Sequence, residues 1–538
     1  MRAAILAGLI GASALAPLGA RPAPAVDAAA AAARIIDEGF NHSQAADTAA
    51  WLADHIGSRM TGSPGMRAAE AWTQARFGAW GLTNVHKEGY DFGRGWSIES
   101  LGVRMITPRI LPLRAIPIAW TPATAGAITA PIVVAPIKRE ADLAAWRGKL
   151  AGKIVLVDLP SNGSEPDKPP FHRFSDDEIA KMDRYEQPEH GPDTLPAWMK
   201  GIALQAKIDA FLKQEGAVAR IRQSYADGDL LHGEGYQYAE GAALPAVELA
   251  AEDYRRLARL AKTGPVKVEI DSRTRFHDED KRAYNIIADI VGSDPKAGYV
   301  MAGAHLDSWA AGDGAADNGA GSAMIMEAAR ILATLDVHPK RTIRFALWSG
   351  EEQGLLGSKA YVDQHVARRP PPPSGTTGVE DYFLAFRRFP ITKLADYDRL
   401  GAYFNIDNGS GKLRGVYAQG NLAAVAPLQE MIAPFASLGV EKVVAGNTDG
   451  TDHEFFAAVG LPAFQFIQDP LDYETRVHHS SIDTYDHLKA DDLRQGAVVL
   501  AGMLLAAANR DEALPRQLLP SKPALTDPFK YQDPDEQR

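Results

Sequence analysis

Cysteine is absent from all 538 residues. That excludes disulfides, thiolate metal sites, iron–sulfur clusters and cysteine nucleophiles. Any metal must therefore sit on His, Asp and Glu. Blocks of positive charge are missing too: 57 Lys and Arg stand against 68 Asp and Glu, a net charge of −11, with no run of five cations. This argues against a nucleic-acid partner, which needs a concentrated cationic face. Beyond the N-terminus the longest apolar run is Ala497–Ala508, ended by Asn509 and Arg510. It falls short of the ~20 residues that span a bilayer and reads as a buried helix. What remains is an ordinary globular composition, 46% hydrophobic and 23% charged, able to bury large cores. At roughly 150 residues per domain the length suggests two to four domains.

The chain opens MRAAILAGLIGASALAPLGARPAPA. Arg2 precedes an apolar run from Ala3 to about Leu18, and small residues follow, including Ala23-Pro24-Ala25. This is the layout of a secretory signal peptide, with cleavage near Ala20 or Ala25. The mature protein is expected to be exported, periplasmic or secreted, with no stable membrane span after cleavage.

From Ala28 to about Trp80 apolar residues recur at helical spacing, with Leu52, Ile56 and the segment Met66–Phe77 on one side. The segment 104–120, rich in Pro and apolar residues, reads as strand and connection. Between about 121 and 270 short apolar runs appear at Pro131–Ile137, Ile154–Leu159, Ala217–Ile221 and Leu244–Leu249, bounded by Gly and Pro, as in small β-rich domains. Within them Ser161 to about Gly191 is polar and reads as a long surface loop with a short helix, its His172 and His190 solvated. From about 280 strand, loop and helix alternate. Tyr284–Val291, Tyr299–Ala304, Thr342–Trp348, Ala402–Ile406 and Ala463–Ile467 read as strands. Asn318–Leu335, Leu355–Val366 and Leu422–Leu438 read as helices. This alternation predicts an α/β sandwich with a mostly parallel sheet, whose functional groups gather at the carboxyl ends of the strands.

The strong polar signals fall at those ends. His305 and Asp307 follow one strand, Asp317 lies in GDGAADNGAG, and Glu351 and Glu352 follow the next strand. Asp407 ends another, and His478 and His479 sit in a loop after the last. Singly, each has an ordinary reading as a helix cap, a turn or a structural histidine. Together, these anions on one rim would repel, and a pair of divalent ions would neutralise them. Imidazole and carboxylate without thiolate suit zinc, with manganese or cobalt as alternatives. His305, Asp317, Glu352, Asp407 and His479 supply six ligand positions for two open-sited ions if Asp317 bridges. Asp307, two residues along the strand from His305, is placed to hydrogen-bond that ring and fix its tautomer. Glu351 is left free as a general base. The predicted chemistry is hydrolysis, with two ions ~3.5–4 Å apart lowering the pKa of a shared water toward ~7.

The segments AHLDSW, GDGAADNGAG, LWSGEEQGLLGS, FNIDNG, TDGTDHEFFAAVGLPAFQF and HHSSIDT resemble the family-28 di-zinc metallopeptidases, which include zinc aminopeptidases and carboxypeptidase Q-like enzymes. The resemblance runs from about 284 to 507, and GSRMTGSPGMRAAEAW resembles the start of a carboxypeptidase Q-like chain. KLAGKIVLVDLP and EGAVARI are similar to a protease-associated (PA) domain. The resemblance implies the zinc exopeptidase fold, a three-layer α/β sandwich carrying a small inserted β-rich PA-like domain. The partition it implies is a signal peptide at 1–25, peptidase domain at 26–120 and 271–510, the PA-like insert at 121–270 and an extended tail at 511–538. It places one zinc on His305 and Asp407 and the other on Glu352 and His479, with Asp317 between them. His479 is preferred to His478 because Ser480, Asp483 and Thr484 follow it in the family's pattern. Several aminopeptidases have a tyrosine where His478 stands, so His478 is an oxyanion candidate. His453 and Arg476 are further substrate candidates, His453 as a structural or pocket-lining residue rather than a ligand, and Arg476 as a partner for a substrate carboxylate or for a surface ion pair. Short peptides are the implied substrates, and a homodimer is compatible with the family. Whether the amino end, the carboxyl end or a dipeptide is read stays open. Two competing readings are a glutaminyl cyclase-like acyltransferase with one zinc and a metal-free binding protein of the same fold.

Overall fold

The computed structural model describes residues 28–182, 195–235, 244–376 and 385–522. The expected export signal, His190 and the last part of the tail lie outside these residues.

The N-terminal segment folds as the apolar spacing predicts, into Ala28–Asn41, Ala45–Ala50 continued by the wider-wound Trp51–Ile56, and Pro64–Ala79. Ser63 caps the last of these, its hydroxyl accepting from Met66 N at 3.1 Å, with Pro at the first helical position. Met66, Ala69, Thr73 and Phe77 form its buried stripe.

The chain then enters an eight-stranded sheet. In spatial order its strands are Thr83–Asp91, Arg282–Ile290, Thr342–Trp348, Tyr299–His305, Leu400–Asn405, Ala463–Gln468, Leu413–Tyr417 and Lys442–Val444. The four at the centre, from Thr342–Trp348 to Ala463–Gln468, are parallel. Antiparallel pairs join them to the strands on either side. The sheet is thus mixed, with a parallel heart. Alternate residues of Tyr299–His305 enter opposite cores, as the two-residue strand period requires. Val300, Ala302 and Ala304 pack beneath the helices Ala320–Thr334 and Ala490–Asn509. Tyr299 and Met301 face Tyr361 and Phe456 on the other side. The run Ala497–Ala508 is buried in the long C-terminal helix, as its length suggests.

A second eight-stranded sheet takes the order Leu111–Pro112, Gly95–Thr107, Lys267–His277, Ile128–Val134, Ile154–Leu156, Ala219–Gln223, Ala246–Leu249 and Ala115–Pro117. Its reach corrects the expected insert boundaries of 121 and 270. Strands at 95–117, assigned from sequence to the peptidase half, pair here, and the sheet runs on to His277. The reason is physical: Gly95–Thr107 buries and exposes residues irregularly, so no continuous apolar run marks it. The unit is also less purely β than expected. Helices Leu195–Gln214 and Ala251–Ala261 belong to it, with Ile208, Phe211 and Leu212 in one core and Tyr254 and Leu257 in another.

The two halves are tied together near the carboxyl ends of the first sheet. His172 N donates to Leu471 O at 2.7 Å and Phe174 N to the Asp469 carboxylate at 3.1 Å. Arg173 bridges Asp469 at 3.1 Å and Asp492 at 2.8 Å. Part of the expected free surface loop is therefore docked, and the His172 ring pairs with Glu178 at 2.9 Å. The described start of the tail is also held, Arg516 donating to Tyr397 O and Leu400 O. Among the described residues no helix is long and apolar enough to cross a membrane.

Candidate metal centre

Two neighbouring parallel strands set the first half of the site. Tyr299–His305 ends on His305, and Thr342–Trp348 leads into Ser349-Gly350-Glu351-Glu352. Gly350 has φ +69°, and a Cβ there would lie 2.4 Å from the Tyr90 hydroxyl, so only glycine fits the turn. The turn is pinned from below. Thr61 Oγ1 accepts from Gly350 N at 2.9 Å and donates to Asp307 Oδ2 at 3.0 Å. The Asp307 carboxylate accepts from the amides of Glu351 and Glu352, both at 3.3 Å.

His305 is 1% exposed. Its Nε2 lies 3.2 Å from Asp317 Oδ1, 3.2 Å from Asp407 Oδ1 and 3.9 Å from Glu351 Oε2. Its Nδ1 donates to the backbone carbonyl of Asp307 at 3.0 Å, while the carboxylate of that residue stands at 3.6 Å. The ring is thus oriented chiefly by the Asp307 main chain, and the Asp307 side chain mainly holds the Glu351–Glu352 turn.

The second half comes from the loop after Ala463–Gln468. His479 Nε2 lies 3.0 Å from Glu352 Oε2 and 3.5 Å from Asp317 Oδ2. Asp317 therefore stands between the two imidazoles, one oxygen toward each. Its loop is fixed by Asp483, whose carboxylate accepts from Ala316 N at 2.6 Å and Asp317 N at 3.1 Å. Asn318 ties the same loop to the strand that carries Asp407, donating to Ile406 O at 2.8 Å. Beneath lies Arg59, fully buried, donating to the carbonyls of Leu306, Asp313 and Gly314, each at 2.7 Å.

The electrostatics are those of a site crowded with negative charge. Burial pushes Glu352 up to about 7, with Asp317 adding to the rise, and pushes Glu351 well above the usual carboxylate range. Burial also raises Asp407. Burial works against ionised Asp317 as well, yet His305, His479 and His478 hold it low. Burial would lower His305 and His479, but Asp407 and Glu352 respectively lead the groups that raise them. Asp317 Oδ2 and Glu352 Oε1 are buried without a hydrogen-bond partner. Buried orphan carboxylate oxygens beside two imidazoles, with no sulfur, form a donor set that fits divalent metal of the zinc type. His305, Asp317, Glu352, Asp407 and His479 could hold it.

The site opens into a cavity of about 490 Å³. Glu351, His478, Tyr473, Leu355, Phe386, Asp449, Glu454 and Glu474 are among the residues that line it. His478 keeps its place on the rim, Nε2 3.8 Å from Asp317 Oδ2. Two sequence candidates do not reach the cavity. His453 is 1% exposed, its Nε2 3.1 Å from Thr448 O, and burial lowers it to about 4. It begins a short helix packed inward, so its role is structural. Arg476 is exposed and is not among the lining residues. Three residues around the site, Arg59, Thr61 and Glu234, escaped the sequence reading, and Asp483 entered it only as part of a pattern. Arg59 and Thr61 sit in the GSRMTG segment, and Asp483 in the pattern after His479. Glu234, whose carboxylate lies 2.8 Å from His479 Nδ1, had no local signal.

Residues 285–503 match the profile of Peptidase family M28. Carboxypeptidase Q from Mus musculus is 27% identical over 472 residues, 86% of this chain and 86% of that protein. Leucine aminopeptidase 2 from Trichophyton equinum is 42% identical over 120 residues, 22% of this chain and 23% of that protein. A Peptidase M28 precursor from Shewanella amazonensis shares the fold at a TM-score of 0.65 and 25% identity, over 92% of this chain and 99% of that one. BSAP, a zinc aminopeptidase from Bacillus subtilis, aligns at a TM-score of 0.54 and 20% identity, over 88% and 97% of the two chains, a likeness of fold.

Proposed function

Starting from a Peptidase family M28 domain over residues 285–503, we propose that this protein is an exported di-zinc exopeptidase that removes residues from the amino end of short peptides. The observation that carries the metal reading is Asp317, one oxygen toward His305 and the other toward His479. His305 and Asp407 would hold one ion, His479 and Glu352 the other, with Asp317 shared. Bound there, the metal pair supplies the positive charge that acidifies water and offsets charge developing on the peptide carbonyl.

The protein's own groups do the rest. Glu351 lies farther from His305 than either Asp317 or Asp407 does, and it faces the cavity. Its Oε2 takes a proton from the attacking water and later passes it to the leaving amide nitrogen. His478, on the rim, is placed to donate to the carbonyl oxygen of the substrate.

The choice of the amino end rests on charge. The described lining residues include Asp449, Glu454 and Glu474 but no Lys or Arg. An α-ammonium group finds carboxylates there, whereas an α-carboxylate finds no cation. A panel of free, N-acetylated and C-amidated di- and tripeptides tests this, with and without a chelator. Free and C-amidated peptides should be cleaved, N-acetylated ones spared, and chelation should stop the reaction until zinc is restored. Cleavage of N-acetylated peptides would remove the amino-end reading, and activity that survives chelation would remove the metal.

A further inference from the structure

His305 and His479 offer equivalent nitrogens to the site but are supported differently. His305 ends a central strand, is almost fully buried, and has its Nδ1 satisfied two residues away by its own chain. His479 sits on a loop, with φ +56° and a quarter of its side chain exposed. Nothing in its own loop receives its Nδ1 proton. The acceptor is Glu234 Oε1, 2.8 Å away and 245 residues earlier in the chain.

Glu234 belongs to the second sheet's unit, on the connection between Ala219–Gln223 and Ala246–Leu249. It lies outside the segment matched to the peptidase family. The connection is built to hold it. Ala119 N donates to Gly233 O at 2.8 Å, and Tyr225 Oη donates to Glu234 Oε1 at 3.2 Å. Tyr225 stacks on His232 with ring centroids 3.8 Å apart, and His232 N donates to the fully buried Glu248 at 2.8 Å. The same connection clamps the histidine loop itself. Ser481 N donates to Leu231 O at 2.7 Å, and Leu231 N donates to Ser481 Oγ at 3.2 Å.

We infer that Glu234 is a positioning residue through which the inserted unit completes the metal centre, holding His479 in the tautomer that presents Nε2 to the ion shared with Glu352. The inference rests on the two-ion reading above. A carboxylate that accepts from the far nitrogen of a ligating imidazole fixes its orientation and raises its basicity, and its loss typically weakens metal binding 10–100-fold. Here the effect should fall on one ion only, because His305 has its own support.

The test is zinc titration of the metal-stripped full-length protein by calorimetry, alongside thermal melting. Wild type should bind two ions. Glu234→Ala should weaken one of them about 10–100-fold and leave the other within about twofold. Glu234→Gln keeps an amide oxygen in place and should lose less. Tyr225→Phe, which removes one bond that holds Glu234 but leaves Glu234 against His479, should weaken the same ion less than Glu234→Ala does. In a His479→Ala background Glu234→Ala should add no further loss of affinity. If wild type binds two ions and Glu234→Ala and Glu234→Gln both match it, the inference falls while the di-zinc reading stands. Equal weakening of both ions in step with a lowered melting temperature would also overturn it, making Glu234 a support of the fold alone. A wild type that binds fewer than two ions would sink the underlying reading instead.

Discussion

Replacing Glu351 by Gln separates the two jobs that carboxylates do in this site. Glu351 Oε2 is 3.9 Å from His305 Nε2, against 3.2 Å for Asp317 and for Asp407. The amide matches the carboxylate in shape, and the Glu351 backbone amide still donates to Asp307. The site geometry should therefore survive. What disappears is a proton acceptor in the cavity, and general-base catalysis is worth about 10²–10⁴-fold. At about 1.36 kcal/mol per decade, the barrier should rise by about 2.7–5.4 kcal/mol. The assay is kcat on an unblocked dipeptide, paired with elemental analysis of the same preparation. The expected result is turnover reduced at least a hundredfold with metal content equal to wild type. Turnover within about tenfold of wild type would show that Glu351 is not the base. A fall in metal content matching the fall in rate would make it a ligand, and the assignment of Glu352 would have to be exchanged with it.

Asp317→Asn should lose both ions together, because each imidazole faces one of its oxygens; retention of either ion at wild-type affinity, read by elemental analysis, would contradict the shared role. Arg59→Met removes a buried cation that serves at least three carbonyls, and urea unfolding should show a loss of at least about 3 kcal/mol, about 1–3 for each carbonyl left without a partner; a loss below about 1 kcal/mol would mean the carbonyls find other partners. Asp452 is fully buried, and burial pushes it up to about 8. Since its folded value lies above the unfolded ~3.9, the folded state binds the extra proton, so this group's contribution is full below pH ~4 and is lost as pH rises toward 8. In chelator, wild type should lose stability from pH 5 to pH 8, and Asp452→Asn should lose less, by a few kcal/mol; parallel melting curves for the two proteins would refute it.

The peptidase half was legible because its strands are buried on both faces. Such strands read as apolar runs, and several reactive residues follow a run directly, as His305 follows Tyr299–Ala304 and Asp407 follows Ala402–Ile406. The parallel centre followed from alternation with helices. Its antiparallel flanks did not, because Thr83–Asp91 is mostly half-exposed and Leu413–Tyr417 is short. The second sheet was harder still. Gly95–Thr107 hides its core residues among exposed ones, and its partner Lys267–His277 lies more than 150 residues away. Glu234 shows the limit most plainly. It sits among glycines and aspartates whose local pattern says only turn, and its meaning comes from a histidine that the fold brings to it. His453 and Arg476 are chemically suggestive in sequence, but the first is buried in its helix and the second is exposed, and neither is among the residues lining the cavity.

The strand Thr83–Asp91 pairs with Arg282–Ile290, and between them the chain leaves to build a second sheet. A nascent chain thus carries an edge without its mate for about 190 further residues, on the order of 10–40 s of ribosome time at ~5–20 residues per second. The interrupting unit, whose strands pair only with one another, can mature first and bring Asp91 and Arg282 side by side. Closing that loop early would lower the entropic toll of the distant pairing. On this account, damage to the interior of the second sheet should surface as slow or failed assembly of the catalytic half, even where no mutated atom lies near it.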